Sequence, residues 1–172
     1  MGHSQAEIDS IQERWVLRFP ADLIDLLREQ RPLVGGSAAF DWIVTEPNQI
    51  QGMLDWPFEG FLFDVEHNNL WWPDRGDRPE VAVDRHERLR EIFARVPKLI
   101  PLYGHRYLPS EPFEPGNPVL SVYQTDIICY GSDLADWIDR ERGGWISRGR
   151  ESVKLKEVPF WSAALRQNGA ML

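Results

Sequence analysis

From residue 109 to residue 118 the chain places a proline at every third position: Pro109, Pro112, Pro115 and Pro118. Proline fixes its own φ and has no N–H to donate, so neither a helix nor a central strand runs easily through such a stretch. The three-residue spacing matches one turn of a polyproline II helix, which would set the four rings on one face. A stiff, ordered connection between two strands is the simpler reading. On either side lie two β-rich runs, Leu99–Tyr107 and Val119–Tyr130. Pairing them antiparallel across the proline link is the expectation. Just before them Val81–Val96 sets Leu89, Ile92, Phe93 and Val96 at i, i+3, i+4 and i+7, the clearest helix of the chain. Its outer side offers Asp84 to Arg88 and Glu91 to Arg95 at i, i+4.

Other segments follow the same logic. Ile8, Ile11 and Trp15 recur at helical spacing, and Pro20 opens a second helix with Leu23, Ile24, Leu26 and Leu27 on one stripe. Pro32 and Gly35-Gly36 stop it. Ala39–Val44 predicts a short strand. Pro57–Val65 is too apolar to be exposed and fits either a helix or a strand, while Asn68–Pro79 reads as an irregular loop carrying Trp71 and Trp72. Ser132 is placed to cap a helix holding Leu134, Trp137 and Ile138, ended by Gly143-Gly144. The expected architecture is α+β: one domain over residues 1–172, with a mostly antiparallel mixed sheet wrapped by several helices.

Composition narrows the function. With 27 acidic residues against 19 basic ones, the net charge of −8 argues against direct nucleic-acid binding and against an anionic membrane surface. The charge is uneven, since residues 140–172 hold 7 basic and 3 acidic side chains, so a basic C-terminal segment is expected to dock on an acidic body. A single cysteine, Cys129, excludes an intrachain disulfide and fits a reducing compartment. Met1–Ser10 is polar, without the apolar core of a signal peptide, and a cytoplasmic location is expected. Eight tryptophans favour a binding surface.

The densest polar-aromatic cluster is Tyr103-Gly104-His105-Arg106-Tyr107. On an extended backbone Tyr103, His105 and Tyr107 face one way and Arg106 the other. The following run brings Tyr123, Gln124 and Asp126, and Arg106 or His105 is within reach of Asp126 if the runs pair. Such a cluster either fixes strand register or forms a partner surface, to which Trp71 and Trp72 add a groove. Asp64, Glu66 and His67 offer carboxylates and an imidazole, yet on a strand Asp64 and Glu66 share a face that His67 does not, and the spacing matches no zinc signature. Cys129 has apolar neighbours and reads as a buried, inert thiol. His3 and His86 have no candidate partner. No catalytic residue, metal ligand set or cofactor is assigned, and no nucleophile elbow or phosphate loop is present.

Three stretches in order, Leu99–Tyr107 (LIPLYGHRY), Asn117–Tyr130 (NPVLSVYQTDIICY) and Gly131–Glu141 (GSDLADWIDRE), resemble bacterial members of the SUKH superfamily. These are relatives of fungal cell-wall-synthesis regulators and of immunity proteins against polymorphic toxins. The resemblance spans roughly residues 18–142, with Phe63–His67 and Phe19–Leu27 similar in order and spacing, and leaves 143–172 unmatched. It implies an α+β domain that binds a protein partner without catalysis, and the acidic body suits a basic toxin domain. The partner surface is then expected at Tyr103, His105, Arg106, Tyr107, Tyr123, Gln124, Asp126, Trp71 and Trp72. Two other readings stay open: a small metal-dependent hydrolase using Asp64, Glu66, His67 or His105, and a regulator that holds a small molecule near Trp71 and Trp72.

Overall fold

The computed structural model describes residues 2–72, 75–143 and 154–167. Its sheet is a meander in which each strand pairs antiparallel with the next: β1 (Leu99–Tyr103), β2 (Arg106–Pro109), β3 (Val119–Tyr123) and β4 (Asp126–Gly131). The helices are α1 (Gln5–Trp15), α2 (Ala21–Glu29), α3 (Pro47–His67), α4 (Ala82–Phe93), α5 (Leu134–Glu141) and α6 (Trp161–Gln167). The architecture is thus α+β with an antiparallel sheet, as expected. Each β-rich run is itself a hairpin, turning at Gly104 (φ +52°) and at Gln124 (φ +55°). Tyr103 therefore lies opposite Arg106 across the first turn, and Tyr103, His105 and Tyr107 do not share a face of one strand. Across the proline link β2 and β3 do pair antiparallel, with Arg106 opposite Ser121 and Tyr107 opposite Leu120.

Both faces of the sheet are covered, which is why the strands read as apolar runs. On one face Ile100, Leu102, Leu108 and Val119 pack on Ile8, Ile11, Leu23 and Leu27 of α1 and α2 and on Trp137 and Ile138 of α5. On the other Leu99, Tyr107, Leu120, Val122 and Ile127 meet Phe61 of α3, Leu89 of α4 and Trp161 and Leu165 of α6. Within the basic C-terminal segment, residues 154–167 supply core side chains to that second face, so the segment completes the core as well as docking on it. Residues 144–153, including Trp145, lie outside the described residues.

Helix α3 settles the ambiguous stretch Pro57–Val65. It begins with Pro47 at a position where a missing N–H costs nothing, and it continues through Pro57. An interior proline deprives the carbonyl four residues earlier, here Met53, of its helical donor. Tyr107 replaces that donor: its hydroxyl donates to Met53 O at 2.8 Å. The hydroxyl is deeply buried, and burial pushes its pKa well above the usual phenol value.

Three local expectations are corrected. Ala39–Val44 is a turn and not a strand, because the Asp41 carboxylate accepts from the Ile43 and Val44 N–H groups at 2.8 and 3.1 Å and takes those donors away from any ladder. Asp133, not Ser132, caps α5, accepting from Asp136 N at 2.8 Å, while the Ser132 N–H donates to the Asp136 carboxylate. On α4 Arg88 reaches Glu91 at i, i+3, 2.8 Å away, in place of the pairs Asp84–Arg88 and Glu91–Arg95. The proline link forms no free polyproline face. Asn117 Nδ2 ties it together by donating to Pro109 O and Pro112 O, and the Gly116 N–H donates to Asp22 of α2 at 2.9 Å.

Candidate functional site

At the end of the sheet where the hairpins turn, α3 meets the β3–β4 tip and leaves large rings in solvent. Trp56 is 42% exposed and Tyr123 55%, with ring centroids 5.8 Å apart. His105, on the other hairpin tip, approaches Tyr123 edge-on at 6.5 Å. Seven residues beyond Trp56 on α3, Phe63 is 46% exposed and packs against His67 at 4.6 Å. Exposed acidic residues are near these rings in the chain: Asp55 precedes Trp56, Glu59 follows it by three positions, and Asp126 pairs with Tyr123 across the turn. A cluster of exposed aromatic rings is the kind of surface that marks an interaction site.

The patch is held from beneath. The Trp56 indole N–H donates to Val122 O at 3.1 Å. Gly60 allows the tip to sit directly on the helix, since a Cβ there would lie 2.8 Å from Gln124 Cα. Asp64, buried one turn further on, accepts from the Thr125 N–H at 2.9 Å and from the Thr125 hydroxyl at 2.6 Å, while its other oxygen accepts from Asn68 Nδ2. The Trp56–Val122 and Thr125–Asp64 hydrogen bonds thus tie the helix to the hairpin, an arrangement that favours pre-positioned rings.

Arg106 lies below this surface rather than on it. Its guanidinium stacks over Tyr130 at 3.7 Å, donates to Ser121 Oγ at 3.2 Å and faces Glu141 of α5 at 3.6 Å. Glu141 also accepts from the Trp137 indole N–H at 3.1 Å. The carboxylate that answers Arg106 is thus Glu141 and not Asp126, and the cluster fixes the sheet to α5. Burial, and next the Arg106 guanidinium, hold the His105 imidazole below its ordinary pKa, so near neutral pH it presents an uncharged ring beside Tyr123.

Of the expected partner residues, Tyr123, His105 and Asp126 gather at the surface, and Gln124 shapes the turn between them. Tyr103 instead turns toward Gly36 (φ +120°), where a Cβ would meet its hydroxyl at 2.7 Å. Tyr107 serves α3 from the core. Trp71 and Trp72 belong to a different region: the Trp71 indole donates to Gly76 O at 2.8 Å, and Trp72 stacks on Phe61 at 6.0 Å. Trp56 was not among the expected partner residues, and Phe63, in a run expected to be too apolar for exposure, is instead in solvent, because the helix turns it outward in the i, i+7 stripe that it shares with Trp56.

The other candidate groups diverge. Asp64 clamps the hairpin, Glu66 accepts from Arg85 Nε at 2.7 Å, which holds it below the usual carboxylate pKa, and His67 lies in solvent against Phe63. Among the described residues no three His, Cys, Asp or Glu side chains gather where they would hold a metal ion. His3, expected to be solitary, is buried beside Arg31, Glu7 and Asp41 and is held below its ordinary pKa mainly by that burial. His86 packs edge-on against Phe58. Burial pushes the Cys129 thiol up to about 11, in keeping with an inert side chain. Among the described residues no helix is long and apolar enough to cross a membrane. Compared with protein-family models, with curated proteins and with solved structures, the chain matches none.

Proposed function

We propose that this chain is a non-catalytic protein-binding module of the immunity-like or regulatory kind that its resemblance to the SUKH superfamily implies. One observation carries the reading: Trp56, Tyr123, Phe63 and His105 form an exposed aromatic patch on a clamped helix–hairpin unit. Tyrosine and tryptophan are favoured interface anchors because they bury much area with little loss of rotamer freedom. The exposed Asp126 paired with Tyr123, in a chain of net charge −8, favours a basic partner, whose arginines or lysines would lie over the ring faces.

The test compares wild type with Trp56→Ala/Tyr123→Ala, both shown by circular dichroism to be folded. Each is used to capture partners from native lysate, and any stoichiometric partner is then purified and titrated at two salt concentrations. A basic partner that the variant binds at least tenfold more weakly, and that associates more slowly at high salt, supports the reading. Unchanged affinity in the variant rejects this surface.

A further inference from the structure

Where α1 ends, a hollow of about 400 Å³ opens between Trp15, α3 and the link that carries the chain from α4 into β1. Its volume falls in the range of small-molecule sites. Trp15, Leu54, Phe58, Phe93 and Trp161 supply much of the wall. Phe93 meets Phe58 at 5.4 Å and Trp161 at 6.2 Å, both edge to face, so these rings brace one another. Among the described residues three charged side chains also line the hollow, and each is already engaged. Lys98 Nζ donates to Val16 O at 2.7 Å, Asp55 accepts from Gln51 Nε2 at 2.9 Å, and the Arg14 guanidinium lies over the Trp15 ring at 5.2 Å. A water molecule needs two or more polar partners to settle in such a space, and these walls offer few.

Val16, which also lines the hollow, is the residue that folding alone does not explain. It ends α1 in the left-handed region (φ +51°, ψ +48°), where helices commonly take glycine and a β-branched side chain is strained. Its backbone is held there, since the N–H donates to Gln12 O and Glu13 O and the carbonyl accepts from Lys98. The side chain is 74% exposed, so the core gains little from it. Strained residues of this kind gather at ligand sites. We infer that the hollow binds a small, neutral aromatic molecule, with Val16 as the lip against its edge. A flat apolar body exchanges weakly held water for ring faces. A charged group would lose its hydration and meet only side chains that already have partners. The inference does not depend on the protein-binding reading, because Trp56 and Tyr123 do not line the hollow.

The probes are N-phenyl-1-naphthylamine, which is neutral, and 8-anilino-1-naphthalenesulfonate, the same ring system with a sulfonate added. Each is titrated into the full chain. Binding is read from dye emission and from the indole N–H resonances, assigned by single tryptophan-to-phenylalanine replacements. Wild type should hold the neutral dye about tenfold more tightly than the sulfonate, or better. The Trp15 resonance should shift with the neutral dye, while those of Trp56 and Trp72, which do not line the hollow, stay in place. Val16→Gly should weaken the neutral dye about fivefold, part of the contact of a valine side chain. Its thermal midpoint should be no lower than that of wild type, because glycine enters the left-handed region without strain. No saturable binding of the neutral dye overturns the inference, as does binding of the sulfonate that is equal or tighter. Shifts at Trp56 or Trp72 with Trp15 unmoved overturn it too. A Val16→Gly protein with a lower midpoint, or with unchanged affinity for the neutral dye, returns Val16 to the fold and overturns it likewise.

Discussion

The two sides of the sheet are covered by different materials. Toward α1, α2 and α5 the core is chiefly isoleucine and leucine, with Phe19, Trp42 and Trp137 set among them. Toward α3, α4 and α6 it is a mesh of rings in which Phe61, Phe93, Phe160 and Trp161 meet pairwise at 5.0–6.2 Å, mostly edge to face. Branched aliphatic chains interdigitate to crystal-like density. Rings prefer tilted contacts at fixed separations and cannot deform to fill what those contacts leave. A hollow of about 580 Å³ opens on the ring side between α4, α6 and the segment ending at Trp72, while others of about 400 and 770 Å³ lie where Phe93 and Val96 meet Val16 and Leu17 at the end of α1. The first is walled largely by rings, and the other two form where the two sides of the molecule meet.

This contrast can be broken or sharpened by measurement. The largest effect is expected for Trp161→Ala, which removes a ring from the mesh and leaves Pro97 O without its indole donor. Urea unfolding should show a loss of about 3–5 kcal/mol. A loss under about 2 kcal/mol would mean that the rings re-pack as readily as aliphatic chains. Next comes the clamp between α3 and the β3–β4 tip. Asp64→Ala strands the half-buried Thr125 donors and should cost about 1 kcal/mol, with faster exchange of the Thr125 amide; unchanged exchange would show the hairpin standing without the helix. Tyr107→Phe, which withdraws the hydroxyl from Met53 O, should cost about 0.5–1.5 kcal/mol by the same assay.

The smallest effect is a matter of sign and belongs to the aliphatic side. His3 lies buried near Arg31 and is held below its ordinary value of 6.5. The folded state therefore binds its proton less well than the unfolded state, and the neutral imidazole favours folding in full above pH 6.5. That contribution is lost as the pH falls from 6.5 through the lower folded pKa. Thermal midpoints between pH 7.5 and 5 should fall less steeply for His3→Gln than for wild type. Parallel slopes would remove His3 from the acid response.

The pairing across the proline link and the helix α4 before it were legible because their signals are local, whereas the turn inside each β-rich run was not. A proline link flanked by β-rich runs leaves few pairings, and Leu89, Ile92 and Phe93 repeat at helical spacing over a stretch without breakers. The helix that carries the candidate surface was hidden for the opposite reason. Gly52, Pro57 and Gly60 all interrupt a helical reading of residues 47–67, and what overrides them lies elsewhere: Tyr107 supplies the donor that Pro57 lacks, and Gln124 needs the space that Gly60 leaves. Tyr123, His105 and Asp126 were singled out as part of a polar-aromatic cluster, and the turns that bring them together at one end of the sheet were not read. Arg106 and Tyr107 were placed on the surface because spacing says which residues are near one another, not which side of a sheet is already covered. Glu141, the true neighbour of Arg106, is 35 positions away along the chain.

The bond between Tyr107 and Met53 also says something about the routes by which this sequence can change. With phenylalanine at 107, a proline at 57 strands a buried carbonyl; with the helical N–H restored at 57, the tyrosine hydroxyl is an added donor to an already satisfied oxygen. Tyrosine could therefore arrive first at little cost and proline second, whereas the reverse order passes through a weakened intermediate. Once both are present, neither leaves on equal terms: Tyr107 is held in place by a residue 50 positions earlier, and only a prior replacement of Pro57 would free it. The pair acts as a ratchet on substitution, set by the absence of one hydrogen atom from the backbone of α3.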